Sequence, residues 1–217
     1  AATIESLEDR TLLATSLSVL NGSDGFRLDG AAPNDGAGRD VDSIGDFNGD
    51  GFDDIAVAAP YSNALGRTDA GRVYVIFGKA SGIPSSRNLS SIAGSLGFRI
   101  DGANANDFTG VVVSAAGDIN GDGLDDLLIG APYADISGKT DAGATYVIYG
   151  RTSGNSNIDL RYLSSSRGMR IVGLDAEDQA GIPSSAGDIN GDGLADIVVG
   201  APGGDRSTLV THANTGE

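Results

Sequence analysis

The chain has 217 residues, a formal net charge of −16, one histidine and no cysteine. That length suits one large all-β domain or two small ones, and so acidic a surface argues against nucleic acid or an anionic membrane as partner. Without cysteine there is no disulfide framework, and no apolar run approaches the length of a membrane span.

Residues 1–16 stand apart from the rest of the chain: Ile4, Leu7, Leu12 and Leu13 are spaced for a short amphipathic turn, or for a tail without structure. From residue 17 to 217 the chain repeats with a period near 70 residues. Each unit opens with an alternating strand, at Gly25–Gly30, Gly97–Gly102 and Gly168–Gly173, whose apolar residues two apart face one side. A polar loop comes next. A strand then leads into an acidic loop (near Arg39–Gly45, Val111–Gly117 and Ile182–Gly187) and another leaves it (Ile55–Ala59, Leu127–Gly130 and Ile197–Gly200). Ala59-Pro60, Ala131-Pro132 and Ala201-Pro202 end that second strand, because proline cannot donate to a ladder. Thr68-Asp-Ala-Gly71 and Thr140-Asp-Ala-Gly143 introduce a third strand, at Arg72–Phe77 and Ala144–Tyr149, apolar on both faces. Four antiparallel strands per unit, covered on both sides by other sheets, predict the blades of a β-propeller.

The acidic loops carry the chemistry. They read DFNGDGFDD (46–54), DINGDGLDD (118–126) and DINGDGLAD (188–196), and hold eleven of the 30 acidic residues. Side-chain oxygens fall at positions 1, 3 and 5: Asp46, Asn48 and Asp50; Asp118, Asn120 and Asp122; Asp188, Asn190 and Asp192. Glycine at position 6 permits a sharp turn, and the carbonyl at position 7 (Phe52, Leu124, Leu194) can point inward. That is half of an EF-hand loop. The glutamate an EF-hand needs at position 12 is replaced by a strand residue, Ile129 in the second loop, so the closing ligand must come sooner. Position 8 is Asp53, Asp125 and then Ala195, and alanine cannot ligate. Position 9 (Asp54, Asp126, Asp196) therefore closes the site, with position 8 expected in solvent. All-oxygen sets of this kind suit calcium, and three ions would bring the charge from −16 to about −10.

These residues resemble the FG-GAP repeat of the integrin α-subunit propeller and its bacterial relatives: Gly-Asp-x-Asn-Gly-Asp-Gly, then Asp, an apolar strand, Gly-Ala-Pro and a Tyr-Val-Ile-like strand. At the "FG" itself this chain has Ala37-Gly38, Thr109-Gly110 and Ala180-Gly181, and the first Gly-Ala-Pro is Ala58-Ala59-Pro60. The resemblance implies an all-β propeller with three calcium sites, and a ligand face on the rim away from the calcium loops. On that rim it points to Asn34, Asp35, Asn63, Arg67, Asn106, Asp107, Asp135, Lys139 and Asp178. Leu7-Glu-Asp-Arg-Thr-Leu-Leu-Ala14 resembles a stretch near the start of many exported planctomycete proteins, which implies a secreted or cell-surface location.

Catalytic signals are scarce. His212 is the only histidine, which gives a Ser-His-Asp arrangement little to build on, and the glycine-rich words lack the lysine of a phosphate loop. The expectation is a calcium-binding extracellular module for protein–protein interaction or cell adhesion, not an enzyme, with a protein or cell-surface ligand, no nucleic acid and no membrane insertion. The alternative is the propeller part of a larger secreted, phospholipase-like hydrolase whose catalytic domain lies elsewhere. After Pro202 the third unit has no Tyr-Val-Ile-like strand and only a strand lead-in at Asn214–Glu217, so an open propeller with an incomplete third blade is expected, completed by further blades or by self-association, unless Arg206–His212 supplies the missing strand by a shortened route.

Overall fold

The computed structural model describes residues 25–204 and 209–211. The expectations for residues 1–16, for His212 and for a strand lead-in at Asn214–Glu217 fall outside the described residues. In chain order the strands are β1 (Arg27–Asp29), β2 (Val41–Gly45), β3 (Asp54–Ala59), β4 (Arg72–Ile76), β5 (Ser86–Asn88), β6 (Gly97–Asp101) and β7 (Val113–Gly117). They continue with β8 (Asp126–Ala131), β9 (Ala144–Ile148), β10 (Ile158–Asp159), β11 (Gly168–Val172), β12 (Ile182–Gly187), β13 (Asp196–Gly200) and β14 (Leu209–Thr211).

Each pair of strands flanking an acidic loop is the inner half of an antiparallel blade. The first blade runs β2-β3-β4-β6, the second β7-β8-β9-β11 and the third β12-β13-β14. The inner strands β2, β7 and β12 stand side by side, as at the axis of a propeller, and no sheet closes on itself. The strand that opens a sequence unit thus finishes the blade before it. The alternation in Arg72-Val-Tyr-Val-Ile explains the packing: Val73 and Val75 face the second blade beside Phe98, Leu127 and Tyr146, while Tyr74 and Ile76 face Leu89 and Ile92. Burying each such side chain contributes about 1.5–3 kcal/mol.

Two features depart from the sequence reading. The expectation that the third blade lacks its outer strands is corrected for one of them: β14 pairs with β13 by a shorter route than Thr-Asp-Ala-Gly provides in the other units. The chain also adds parallel strands outside the blades, with β10 lying along β6 and β5 along β1. The connection between the outer two strands of the second blade therefore reaches back to the outer strand of the first, and β1 is paired only to the corresponding connection of the first blade. Parallel pairing is possible here because a long crossover separates the two strands.

Candidate metal centre

Every inner strand ends in a bulge that turns the chain into its acidic loop. The register shifts just before Gly45, Gly117 and Gly187, each with φ near +70°, which a side chain would strain. The loops then wind around their own carboxylates. Asp46 accepts hydrogen bonds from the amides of Gly49 (2.8 Å), Asp50 (2.9 Å) and Gly51 (2.8 Å). Asp118 and Asp188 repeat that pattern on Gly121, Asp122 and Gly123, and on Gly191, Asp192 and Gly193. At position 3, Asn48, Asn120 and Asn190 accept from the position 5 amide, and Asp50, Asp122 and Asp192 accept from the position 7 amide. These bonds hold the Asp188 carboxyl below its ordinary range, the Gly193 amide foremost.

The closing carboxylates differ in kind, because each is the first residue of a core strand and all three are buried. Gly78 donates to Asp54 Oδ1 (2.9 Å), but the buried Oδ2 of Asp54 has no hydrogen-bond partner. Asp126 accepts from Gly150 (2.8 Å) and Ile119 (3.1 Å), and Asp196 from Ile189 (2.8 Å) and the Asn190 side chain (3.4 Å). Burial, reinforced by the charges of Asp50 and Asp46, pushes the Asp54 carboxyl up to about 7; burial with Asp122 and Asp118 does the same for Asp126, to about 7. An orphaned buried oxygen facing like charges is a place for a cation, so the residues fit a hard divalent ion. Among the described residues no three carboxylates or imidazoles already converge as a cage; the position 1 and 5 side chains are turned onto their own amides.

Asp125 corrects the expectation that position 8 is solvated. Its Oδ2 accepts the backbone N–H of Asp46 in the first loop, at 2.9 Å. Asp53, by contrast, is exposed. The only signal in the sequence was the exchange of Asp125 for Ala195 between units, which gives no hint of a contact across blades.

The opposite rim is mostly committed to its own turns. Arg67 forms a two-pronged pair with Asp159 (3.1 and 3.0 Å), and Asp107 is buried and accepts from Asn104. Asn63, Asp135 and Asp178 accept from nearby amides, Asp35 accepts from Ser62, and Lys139 reaches the Leu174 carbonyl. Asn34 and Asn106 are exposed with φ near +65°, as in tight turns. Beside them, Phe108 sits edge-on between Tyr61 and Tyr133, with ring centroids 5.8 and 5.5 Å apart.

Stacked antiparallel blades with an acidic nine-residue loop between the inner two strands of each define a propeller repeat protein. The FG-GAP repeat model matches residues 37–76, 109–148 and 184–217, more than half of the chain, and the chain belongs to that family. FG-GAP repeats are in general calcium-binding motifs.

Among known proteins, the chain is 35% identical over 172 residues to phosphatidylinositol-glycan-specific phospholipase D of Bos taurus, a match covering 77% of this chain and 19% of the relative. The protein of the same name from Dictyostelium discoideum is 29% identical over 176 residues (76% and 18%). Integrin alpha-PS2 of Drosophila melanogaster is 34% identical over 163 residues (73% and 10%). The chain thus spans about a fifth of the length of the phospholipases it matches. These matches overturn the expectation of a non-enzyme and favour the alternative, since a named phospholipase recurs among the relatives from cattle, rat, mouse, human and Dictyostelium.

Proposed function

We propose that this chain is the calcium-stabilised propeller part of a secreted hydrolase of the phosphatidylinositol-glycan phospholipase class, with the reacting groups supplied by another segment of a longer polypeptide. The observation that carries this reading is the similarity to phospholipase D sequences over about three quarters of the chain. Calcium, when bound, supplies the positive charge that lets buried and clustered carboxylates stay ionised. In the first loop Asp46, Asn48, Asp50, the Phe52 carbonyl and Asp54 would hold it. Asp118, Asn120, Asp122, Leu124 and Asp126 would do so in the second, and Asp188, Asn190, Asp192, Leu194 and Asp196 in the third. The rest of the work falls to the chain's own residues. The glycine bulges aim the loops, and the blades hold the far rim rigid for a substrate or a neighbouring domain. Among the described residues no helix is long and apolar enough to cross a membrane.

The polypeptide carrying this chain is to be incubated with membranes bearing a glycosylphosphatidylinositol-anchored reporter, with calcium and with chelator. Release of the reporter, lost when residues 25–211 are deleted, is the expected result. A second reading, adhesion to a protein or cell-surface ligand, rests on the integrin matches. Calcium-dependent capture of cells without any release would favour that reading and overturn the first.

A further inference from the structure

The three acidic loops have the same internal hydrogen bonds but different neighbours. Around the first, the second blade supplies a full set of contacts. Asp125 accepts the Asp46 N–H (2.9 Å), and the Arg151 N–H donates to the Phe47 carbonyl (2.9 Å). A Cβ placed on Gly45 would lie 2.0 Å from the Asp125 carboxylate, and one on Gly49 would meet Thr152 and Leu124 at 2.8 and 3.0 Å. The second loop receives less from the third blade. Ala195 donates its N–H to the Asp118 carbonyl (2.9 Å) and sets its methyl against Gly117, and Leu194 lies against Gly121. Ala195 offers no side-chain acceptor.

The Asp46 amide matters because of what its side chain does. Both Asp46 oxygens organise the loop, so fixing the backbone at that residue fixes the first ligand of the site. We propose that Asp125, although it belongs to the second loop, is a positioning residue for the calcium site of the first, so that a site is held by the blade that follows it and the first site is held more tightly than the second. This rests on the reading of the loops as calcium sites. It makes position 8 a coupling position: carboxylate where the preceding loop is clamped, alanine where it is not. Outer groups that orient ligands in this way are typically worth about 10- to 100-fold in metal affinity.

Calcium titration against a chromophoric chelator tests the proposal on the whole chain. Asp125→Ala should weaken one site roughly tenfold, and Asp125→Asn, whose amide oxygen can accept the same hydrogen bond, should restore most of that loss. With Asp54→Ala already in place the Asp125→Ala loss should vanish; with Asp126→Ala in place it should persist. The reverse pattern, or an asparagine variant as weak as the alanine one, overturns the proposal. Ala195→Asp places a carboxylate where Asp125 stands in the blade before and should tighten the second site, and an unchanged second site would equally count against coupling. Should Asp125→Ala fail to fold by circular dichroism, the Ala195→Asp result decides. A native chain that takes up no calcium removes the reading of the loops themselves, whereas normal uptake with an insensitive Asp125→Ala removes only the coupling.

Discussion

Asp54 carries a buried oxygen with no hydrogen-bond partner beside two other carboxylates, an arrangement that costs stability unless a cation answers it. Asp54→Asn removes the charge while its amide can face Asp46 and Asp50. In chelator the variant should therefore melt at or above the native temperature, and with calcium it should fall below the native protein; a lower melt in chelator would mean that the carboxylate is needed for folding itself. Asp107 makes a separate prediction on the other rim. Burial pushes its carboxyl up to about 6, against the pull of the Asn104 hydrogen bonds. Because the folded value lies above the unfolded one of about 3.9, the associated stability is fully present below pH ~4 and is lost as pH rises through about 6. Thermal melts in chelator should show native stability falling over that window by on the order of 1–3 kcal/mol relative to Asp107→Asn. Parallel curves for the two proteins would assign the burial cost to another group.

Among the elements, the backward-reaching links are fastened at identifiable points. Arg67, on the loop after β3, grips Asp159 in β10, and both side chains are largely shielded. Arg67→Ala should cost about 1–3 kcal/mol in urea unfolding. Arg27→Ala, whose partner Asp29 is about as exposed as Arg27 itself, should cost no more than ~0.5 kcal/mol. Equal losses would mean that the link is held by its backbone alone. The physical reasons why some elements were legible in sequence are equally specific. β4 and β8 announced themselves because Val73, Val75, Leu127 and Ile129 must alternate or run apolar to fill space between blades, and the loops because a hard cation fixes where oxygens and glycines stand. Ser86-Arg87-Asn88 could not be read as a strand: it has no apolar alternation and exists only because β1 offers it an edge. β14 was legible only as an alternative, a strand within Arg206–His212 by a shortened route, since Leu209-Val210-Thr211 lacks the turn that introduces β4 and β9. Asp125 looked like any exposed aspartate, because its partner lies 79 residues away in sequence.

For the molecule as a whole, calcium should act as a ligand of the folded state. With an affinity suited to the extracellular range of about 0.1–1 mM, calcium at a few times Kd adds roughly 1 kcal/mol per site. Differential scanning fluorimetry with calcium and with chelator should separate the two melts, and coincident melts would remove calcium from the account. The outer face of the first blade, where Phe26, Leu28, Val41 and Ile55 line a cleft and Val41 is 59% exposed, is the side without a packed neighbour among the described residues. The order of the strands also bears on synthesis at the ribosome. The first sheet contains Val41 but is not finished until Ile158–Asp159 lies along β6, so its last edge stays open while the first three strands of the second blade are being translated. At about 5–20 residues per second, the stretch between Asp101 and Asp159 takes roughly 3–12 s to emerge. Stalled nascent chains ending shortly after Asp101 should therefore be cut readily by protease within the first blade, and those extended beyond Asp159 should resist; a vectorially made protein of this design is exposed for longest at the seam that the next blade's linker must close.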